Sequence, residues 1–557
     1  MRSQRQLTES EILKSLEEDI PSDISFDSAD SDDTNDNSYS LEPTTSKTIL
    51  SDSDTSSDSE DECPATISVI RSPETELSQT VTVHQTPSEI ADHQSKTDHK
   101  WSKTERPDDA PTFFSQCGPS VFIVELGTPS PYQLFGVLLS DDIMDLFLFQ
   151  VNLYAQQSSL TTGKPYVPAS MEELKTFLGI NILMGIKPLP SYRDYWSSGA
   201  DLHDSYVSQL MSRRRFRWFL TNLHLNDNSK MAQCGDTNYD KLYKLRPFLE
   251  RISHNFQKAL NPNECMAVDE SMIKFKGRST IKQYLPKKPI KRGYKVWVLA
   301  DKSGYAWKVD IYTGKKDNAV EKKFGERVVK DLTENIKGKD HRVYFDNYFS
   351  SPDLRDLKEN KINACGTVNP NRKSLPMLKS EKEMKRGDYD WATSNTGLSV
   401  MKWKDKRSVH LLSNFHDPTQ KTEVTRKEKD GNEIKVSCPI ALSVYNANMN
   451  CVDKFDQLKG VYETDRKSRI FWYFIDATVV NAFITHKEMK LPKMTLKDFR
   501  REIARDLLAP VLVASRGKKR SLSSHLQFNK KKPNVPKSVR LESSSARKIY
   551  KEEMCSM

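Results

Sequence analysis

No Cys-x-x-Cys pair occurs in this chain, and its eight cysteines, at 63, 117, 234, 265, 365, 438, 451 and 555, follow no regular spacing. That excludes a disulfide framework and a zinc module of ordinary spacing, and it points to a reducing compartment. Nowhere do eighteen apolar residues run together, and no apolar stretch follows Met1-Arg2-Ser3-Gln4-Arg5, so neither a membrane span nor a signal peptide is expected. The eleven histidines are dispersed, without the spacing of a zinc site or a catalytic triad. Aromatic side chains are scarce up to about Pro111, where Ser, Asp, Thr and Glu dominate. Such a segment cannot bury enough apolar surface to offset its ordering entropy, so residues 1–111 are expected to be disordered.

What is present is segregated. The chain has 557 residues, 29% of them charged, and a mean hydropathy of -0.68. That length allows two to four domains with a sizeable core. A net charge of +9 hides an acidic, serine-rich stretch over residues 1–62 and a basic far end, Arg516-Gly517-Lys518-Lys519-Arg520 and Lys530-Lys531-Lys532. The basic tail suits a polyanion partner or a nuclear import signal, and nearly as well a merely solvated tail; an intracellular, nuclear protein is the reading.

Helical periodicity opens the ordered part near Tyr132. Asp141 to Phe149 starts one helix on acids that suit its dipole, Met171 to Gly185 gives a second, and Arg213 to Leu220 lies in a third. Tyr239 to Leu260 predicts a fourth, with Leu242, Leu245, Leu249, Ile252 and Phe256 at helical spacing. The period then changes. Strands are expected over Met266–Phe275, Tyr294–Ala300 and Tyr305–Tyr312, then a helix on Val320, Phe324, Val328, Leu332 and Ile336. A strand ending at Asp346, a short helix (Asp353–Lys358) and a strand (Ile362–Val368) complete the series. Three antiparallel strands, helix, strand, helix, strand is the order of the ribonuclease H-like fold, an α/β class whose metal-binding acids sit at the ends of the first and fourth strands. Short basic strand-like pieces from Asn369 to about Cys438 read as an insertion. Helical pattern resumes at Val452 and continues over Phe471–Met489 and Thr495–Ala509, with little fixed structure expected beyond Arg516.

The chemistry lies in acids that follow apolar strands. Glu264-Cys265-Met266-Ala267-Val268-Asp269 and His341-Arg342-Val343-Tyr344-Phe345-Asp346 each carry a carboxylate to the rim of a sheet, where hard oxygen ligands can hold divalent cations. Taken singly, Asp269 is as readily a strand-end residue with no role, and Asp346-Asn347 an ordinary turn; together, on strands one and four, they point to a site. Asp453 and Asp456 lie three apart and share a face if helical, though alone they would read as a solvated face or a cap. Phosphodiester attack calls for two Mg²⁺ ions held about 4 Å apart by three or four carboxylates. Basic residues lie close in the sequence: Arg278, Lys282, Lys287, Lys288, Lys291 and Arg292, with Tyr284 as a stacking platform, and then Arg372 and Lys373.

Met266-Ala267-Val268-Asp269-Glu270-Ser271-Met272-Ile273-Lys274-Phe275-Lys276-Gly277-Arg278 resembles a signature of the piggyBac-type DNA transposases. So do Val343 to Ser351, Gly366-Thr367-Val368-Asn369-Pro370-Asn371-Arg372-Lys373, and Tyr445 to Asp453. Upstream, Met211 to Phe216 and Asn222 to Asn228 are similar to the family's helical domain, and the likeness covers roughly residues 130–490. It implies a ribonuclease H-like nuclease and strand transferase with three essential aspartates, Asp269, Asp346 and Asp453, and a fourth carboxylate, Asp456. It also implies two Mg²⁺ ions, a homodimer, and double-stranded DNA partners: terminal inverted repeats joined to TTAA targets, with Asn347 in the DNA-binding set.

The organisation implied is a helical dimerisation and DNA-binding domain (130–262 and 466–510) flanking a catalytic domain (263–372 and 439–465), with an insertion (373–438) and a basic tail (511–557). Two features depart from the family: Asn450-Cys451 replaces the glycine usual before Val452-Asp453, and the cysteine-rich zinc-binding C-terminal domain is absent. They leave a second reading open, a domesticated DNA- or chromatin-binding protein without transposition activity.

Overall fold

The computed structural model describes residues 99–106, 112–286, 288–314, 323–428, 430–464, 466 and 468–525, the last thirteen as backbone only. The chain first builds helices: α1 (Pro131–Leu138), α2 (Asp141–Thr162), α3 (Met171–Ile186), α4 (Ser205–Leu210), α5 (Arg213–Asn222) and α6 (Arg246–Ala259). Their starts are written locally. Ser130 with Gln133, and Ser170 with Glu173, close reciprocal capping boxes on α1 and α3, satisfying orphan N–H groups. Gly163 ends α2 in the left-handed region, where glycine carries no Cβ penalty. The helix expected from Tyr239 begins only at Arg246. Pro247 lacks an N–H and fits only a first turn, and Asp240 holds Arg246 through two hydrogen bonds of 2.7 and 2.8 Å, so residues 239–245 turn instead.

Among the described residues fourteen strands follow in order, β1 (Trp101–Ser102), β2 (Gly118–Pro119), β3 (Leu260–Asn261), β4 (Cys265–Lys274), β5 (Lys282–Tyr284), β6 (Arg292–Asp301), β7 (Ala306–Ile311), β8 (Arg342–Phe345), β9 (Asn363–Thr367), β10 (Tyr389–Ser394), β11 (Ser399–Lys404), β12 (Ser408–Ser413), β13 (Lys421–Lys427) and β14 (Glu433–Pro439). Ten form one mixed sheet in the order β1-β10-β11-β12-β9-β8-β4-β6-β5, with β7 also paired to β6. β8 runs parallel to both β4 and β9, and the other pairings are antiparallel. The insertion read from the sequence is therefore not separate throughout: β10, β11 and β12 extend the sheet, while β13 and β14 pair only with each other. Residues 99–106 also differ from expectation. Within the segment read as disordered, β1 pairs with β10, Trp101 Nε1 donates to the Ser374 carbonyl (2.8 Å), and the Arg106 guanidinium donates to the Gly397 carbonyl.

Further helices are α7 (Phe324–Thr333), α8 (Arg355–Glu359), α9 (Ile440–Asn448), α10 (Cys451–Val461), α11 (Arg469–Glu488) and α12 (Leu496–His525). The two faces of the sheet follow from register. Glu270 lies opposite Trp297, whose ring meets Phe324 of α7 at 6.0 Å, whereas Ser271 lies opposite Val296 and meets Tyr473 of α11. Helices thus cover both faces, and β4 carries apolar residues on either side of Asp269-Glu270-Ser271. The helical part shares this core: Phe147 of α2 touches Phe248 of α6 and Phe471 of α11, each at 5.3 Å. α9 and the stretch of α12 past Arg516 were not anticipated.

Between β8 and β9 the backbones approach closely. A Cβ on Gly366 would stand 2.3 Å from Ser350 Oγ and 2.7 Å from the Phe345 carbonyl oxygen. Gly366→Ala is expected to cost about 1–3 kcal/mol through overpacking, seen as a lower Tm. The same shift of Phe345 would displace the acid that follows it.

Candidate metal centre

Pairing between β4 and β8 runs in register from Cys265 with Arg342 to Val268 with Phe345. The next residue along each chain is an acid, so parallel register sets Asp269 beside Asp346; only Asp346 ends its strand as expected, because β4 pairs with β6 through Asp269 and on to Lys274. The strands reach this point through buried Met266, Ala267, Val268, Val343, Tyr344 and Phe345, so the rim is fixed by core packing. Adjacent strand residues face opposite ways, yet one carboxylate oxygen each from Asp269, Glu270 and Asp346 lie within 4.8 Å of one another. Asp269 Oδ1 accepts from the Glu270 N–H (2.8 Å) and Asp346 Oδ1 from the Tyr348 N–H (2.9 Å), which orients both.

α10 supplies the next two acids. Asp453 lies near enough for its charge to act on Asp269. Asp456 Oδ1 accepts from Ser271 Oγ (2.6 Å), which in turn accepts from the Tyr473 hydroxyl (3.1 Å). Ser271 is two residues beyond Asp269 on the same face of β4, so this chain of bonds fixes α10 against the acid-bearing strand.

Burial pushes the Asp269 carboxyl well above the ordinary aspartate range; Lys288 opposes this, while Glu270, Asp346 and Asp453 add to it. Asp346 is pushed up to about 6, by burial first and then by Glu270. Burial also raises Asp453 and Asp456. Two lysines answer this charge. Lys288 Nζ stands 3.9 Å from Asp269 Oδ1 and 3.8 Å from Glu270 Oε1. Lys295 Nζ stands 4.0 Å from Glu270 Oε1 and lies over the rings of Trp297 (3.9 Å) and Tyr348 (4.9 Å). Burial works against the Lys288 ammonium, but Asp269 and Glu270 outweigh it and hold its pKa above the usual lysine value. Burial lowers that of Lys295.

This donor set suits a hard divalent cation. All its ligand atoms are carboxylate oxygens, and Glu270 Oε2 is buried without a hydrogen-bond partner among the described residues. The like-charge crowding is of the kind a bound cation relieves.

The basic residues named from the sequence are placed unevenly. Lys288 enters the acidic cluster. Arg372 reaches the loop after Asp346, donating to the carbonyls of Asn347 (3.1 Å) and Tyr348 (3.0 Å). Tyr284 is exposed, with the Arg292 guanidinium 5.2 Å from its ring, and Lys282 donates to the Gly277 carbonyl. Arg278, Lys291 and Lys373 are exposed, and Lys287 lies outside the described residues. Glu270, Ser271, Lys295 and Tyr473 were missed. Only the two-residue spacing of Ser271 from Asp269 was available as a signal, because the others depend on strand register or on a helix far along the chain.

Among the described residues no helix is long and apolar enough to cross a membrane. A family model described as Transposase IS4 matches residues 130–483. Human piggyBac transposable element-derived protein 3 is 29% identical over 483 residues, which span 83% of this chain and 78% of that protein. Human piggyBac transposable element-derived protein 2 is 28% identical over 395 residues, 67% of this chain and 64% of its own length. In fold, the chain resembles the cryo-EM structure of a piggyBac transposase synaptic complex with hairpin DNA, at a TM-score of 0.62 and 22% identity over 76% of this chain and 90% of that one.

Proposed function

The chain belongs to the piggyBac transposase family, and from that premise we propose that it is a metal-dependent DNA nuclease and strand transferase that cuts element ends and joins them to TTAA targets. One observation carries the reading: parallel register sets Asp269 and Asp346 side by side, with Asp453 of α10 within electrostatic reach. The strand series β4, β6, β7, β8, β9, with α7 before β8 and α8 before β9, supports a ribonuclease H-like core. Asp269, Asp346 and Asp453 act as the catalytic acids, and Asp456 joins them toward the metal. Two Mg²⁺ ions bound there would polarise the phosphodiester and activate the attacking oxygen. The protein's own part is to fix the carboxylates through β4, β8 and the Ser271–Asp456 bond, and to offer phosphates a basic rim from Lys282 to Arg292 and at Arg372 and Lys373. The working form is a nuclear homodimer, with the helical segments 130–262 and 466–510 serving dimerisation and DNA binding.

Full-length protein with Mg²⁺ or Mn²⁺ is expected to nick duplex DNA bearing the cognate inverted repeats, and to leave it intact in EDTA; gel electrophoresis of end-labelled DNA reads the result. DNA retained on the protein without any nick, on authentic ends, would instead assign it to the DNA-binding reading.

A further inference from the structure

The two lysines at the carboxylates are held in different ways. Lys295 rises from the middle of β6, its side chain 12% exposed, and is boxed by the rings of Trp297 and Tyr348. Lys288 sits in the loop between β5 and β6, its side chain 33% exposed, and among the described residues no ring lies beneath its ammonium. Its contacts to Asp269 and Glu270, 3.9 and 3.8 Å, are longer than the roughly 2.7–2.9 Å of a charge-assisted hydrogen bond. The ammonium therefore neutralises two acids at once without being locked to either.

Charge supplies the rest of the argument. Four carboxyl groups, those of Asp269, Glu270, Asp346 and Asp453, gather around two ammonium groups, so the acids outnumber the lysines with both in place. A divalent ion drawn to the Asp269 and Glu270 oxygens would meet the Lys288 ammonium, and like charges a few ångströms apart in a partly buried site repel strongly. We propose that Lys288 is a resident counter-cation, which occupies the charge position beside Asp269 and Glu270 and withdraws on its loop when a divalent ion enters. This deepens the metal-site reading above and rests on it. Lys288 is here a positioning residue: it keeps the empty carboxylate cluster folded, at the cost of competing with the ion.

The test titrates full-length wild type, Lys288→Met and Lys288→Arg with Mn²⁺ alone. Free ion is followed by paramagnetic resonance, and thermal unfolding is recorded separately in EDTA. Lys288→Met is expected to bind Mn²⁺ about tenfold more tightly and to melt at a lower temperature in EDTA, whereas Lys288→Arg, which keeps the charge, stays within about twofold of wild type. Lys288→Gln gives the same comparison with a polar head should the methionine variant fail to fold. Equal or weaker Mn²⁺ binding by the neutral variants overturns the counter-cation role alone. Absence of saturable Mn²⁺ binding by the wild type overturns the metal-site reading and this role with it.

Discussion

Asp346→Ala is expected to abolish metal-dependent nicking while leaving the fold and DNA binding in place. The residue directly follows β8, so its removal deletes no buried apolar contact of that strand and disturbs only the turn held by the Tyr348 N–H. What disappears is one of three carboxylates whose oxygens lie within 4.8 Å of one another. A bound ion supplies several kcal/mol of transition-state stabilisation, and its loss corresponds to a rate at least about 10³-fold lower. The companion variant Asp346→Asn separates chemistry from folding. It removes one negative charge from a crowd that includes Asp269 and Glu270, so in EDTA it is expected to melt above the wild type even though it cannot nick. Wild-type nicking by either variant would remove Asp346 from the reaction.

The largest stability effect is expected far from the acids. Arg500 of α12 and Asp476 of α11 are 2% and 0% exposed, and their side chains meet at 2.6 Å. Arg500 also donates to Thr464 Oγ1 (2.9 Å) and to the Ile182 carbonyl (3.2 Å), and Asp476 Oδ2 accepts from the Thr464 N–H (2.7 Å). One ion pair thereby ties α3, α11, α12 and the segment that follows α10. Gly185 makes the approach possible, since a Cβ there would stand 2.9 Å from Arg500 Nη2. Arg500→Leu strands the Asp476 charge in the core, and about 3–5 kcal/mol of stability should be lost. The double variant Arg500→Leu with Asp476→Leu should lose less than Arg500→Leu alone, because no unpaired charge is left behind. Denaturant unfolding of Arg500→Leu, Asp476→Leu and the double variant decides this: a double variant that loses the sum of the two single losses would show that the two side chains do not act as a pair.

How much of this was legible in the sequence depends on the range of the forces involved. Strands β4, β6, β7, β8 and β9, and the acid that follows β8, could be read because apolar runs and their ends are local patterns; Asp269 reads as a strand end, but pairing with β6 carries β4 on to Lys274. Glu270 could not, because strand alternation assigns it to the face opposite Asp269, and only the geometry of the rim brings its carboxylate back. Lys295 acquires meaning through its place diagonal to Glu270 across β4 and β6, which depends on register. The start of α6 was overread because leucine spacing outweighed Pro247, a single residue whose place is a helix's first turn. Trp101 was misassigned for a different reason: its stretch is polar on average, and its partner carbonyl at Ser374 lies 273 residues away.

The short strand β1 bears on how the protein is handled. Composition invites trimming at residue 111, since everything before it looks dispensable. A protein shortened there would lose the backbone that shields β10 and bare a row of N–H and C=O groups, a template on which foreign chains can assemble. Trimming no further than residue 98 keeps that border closed.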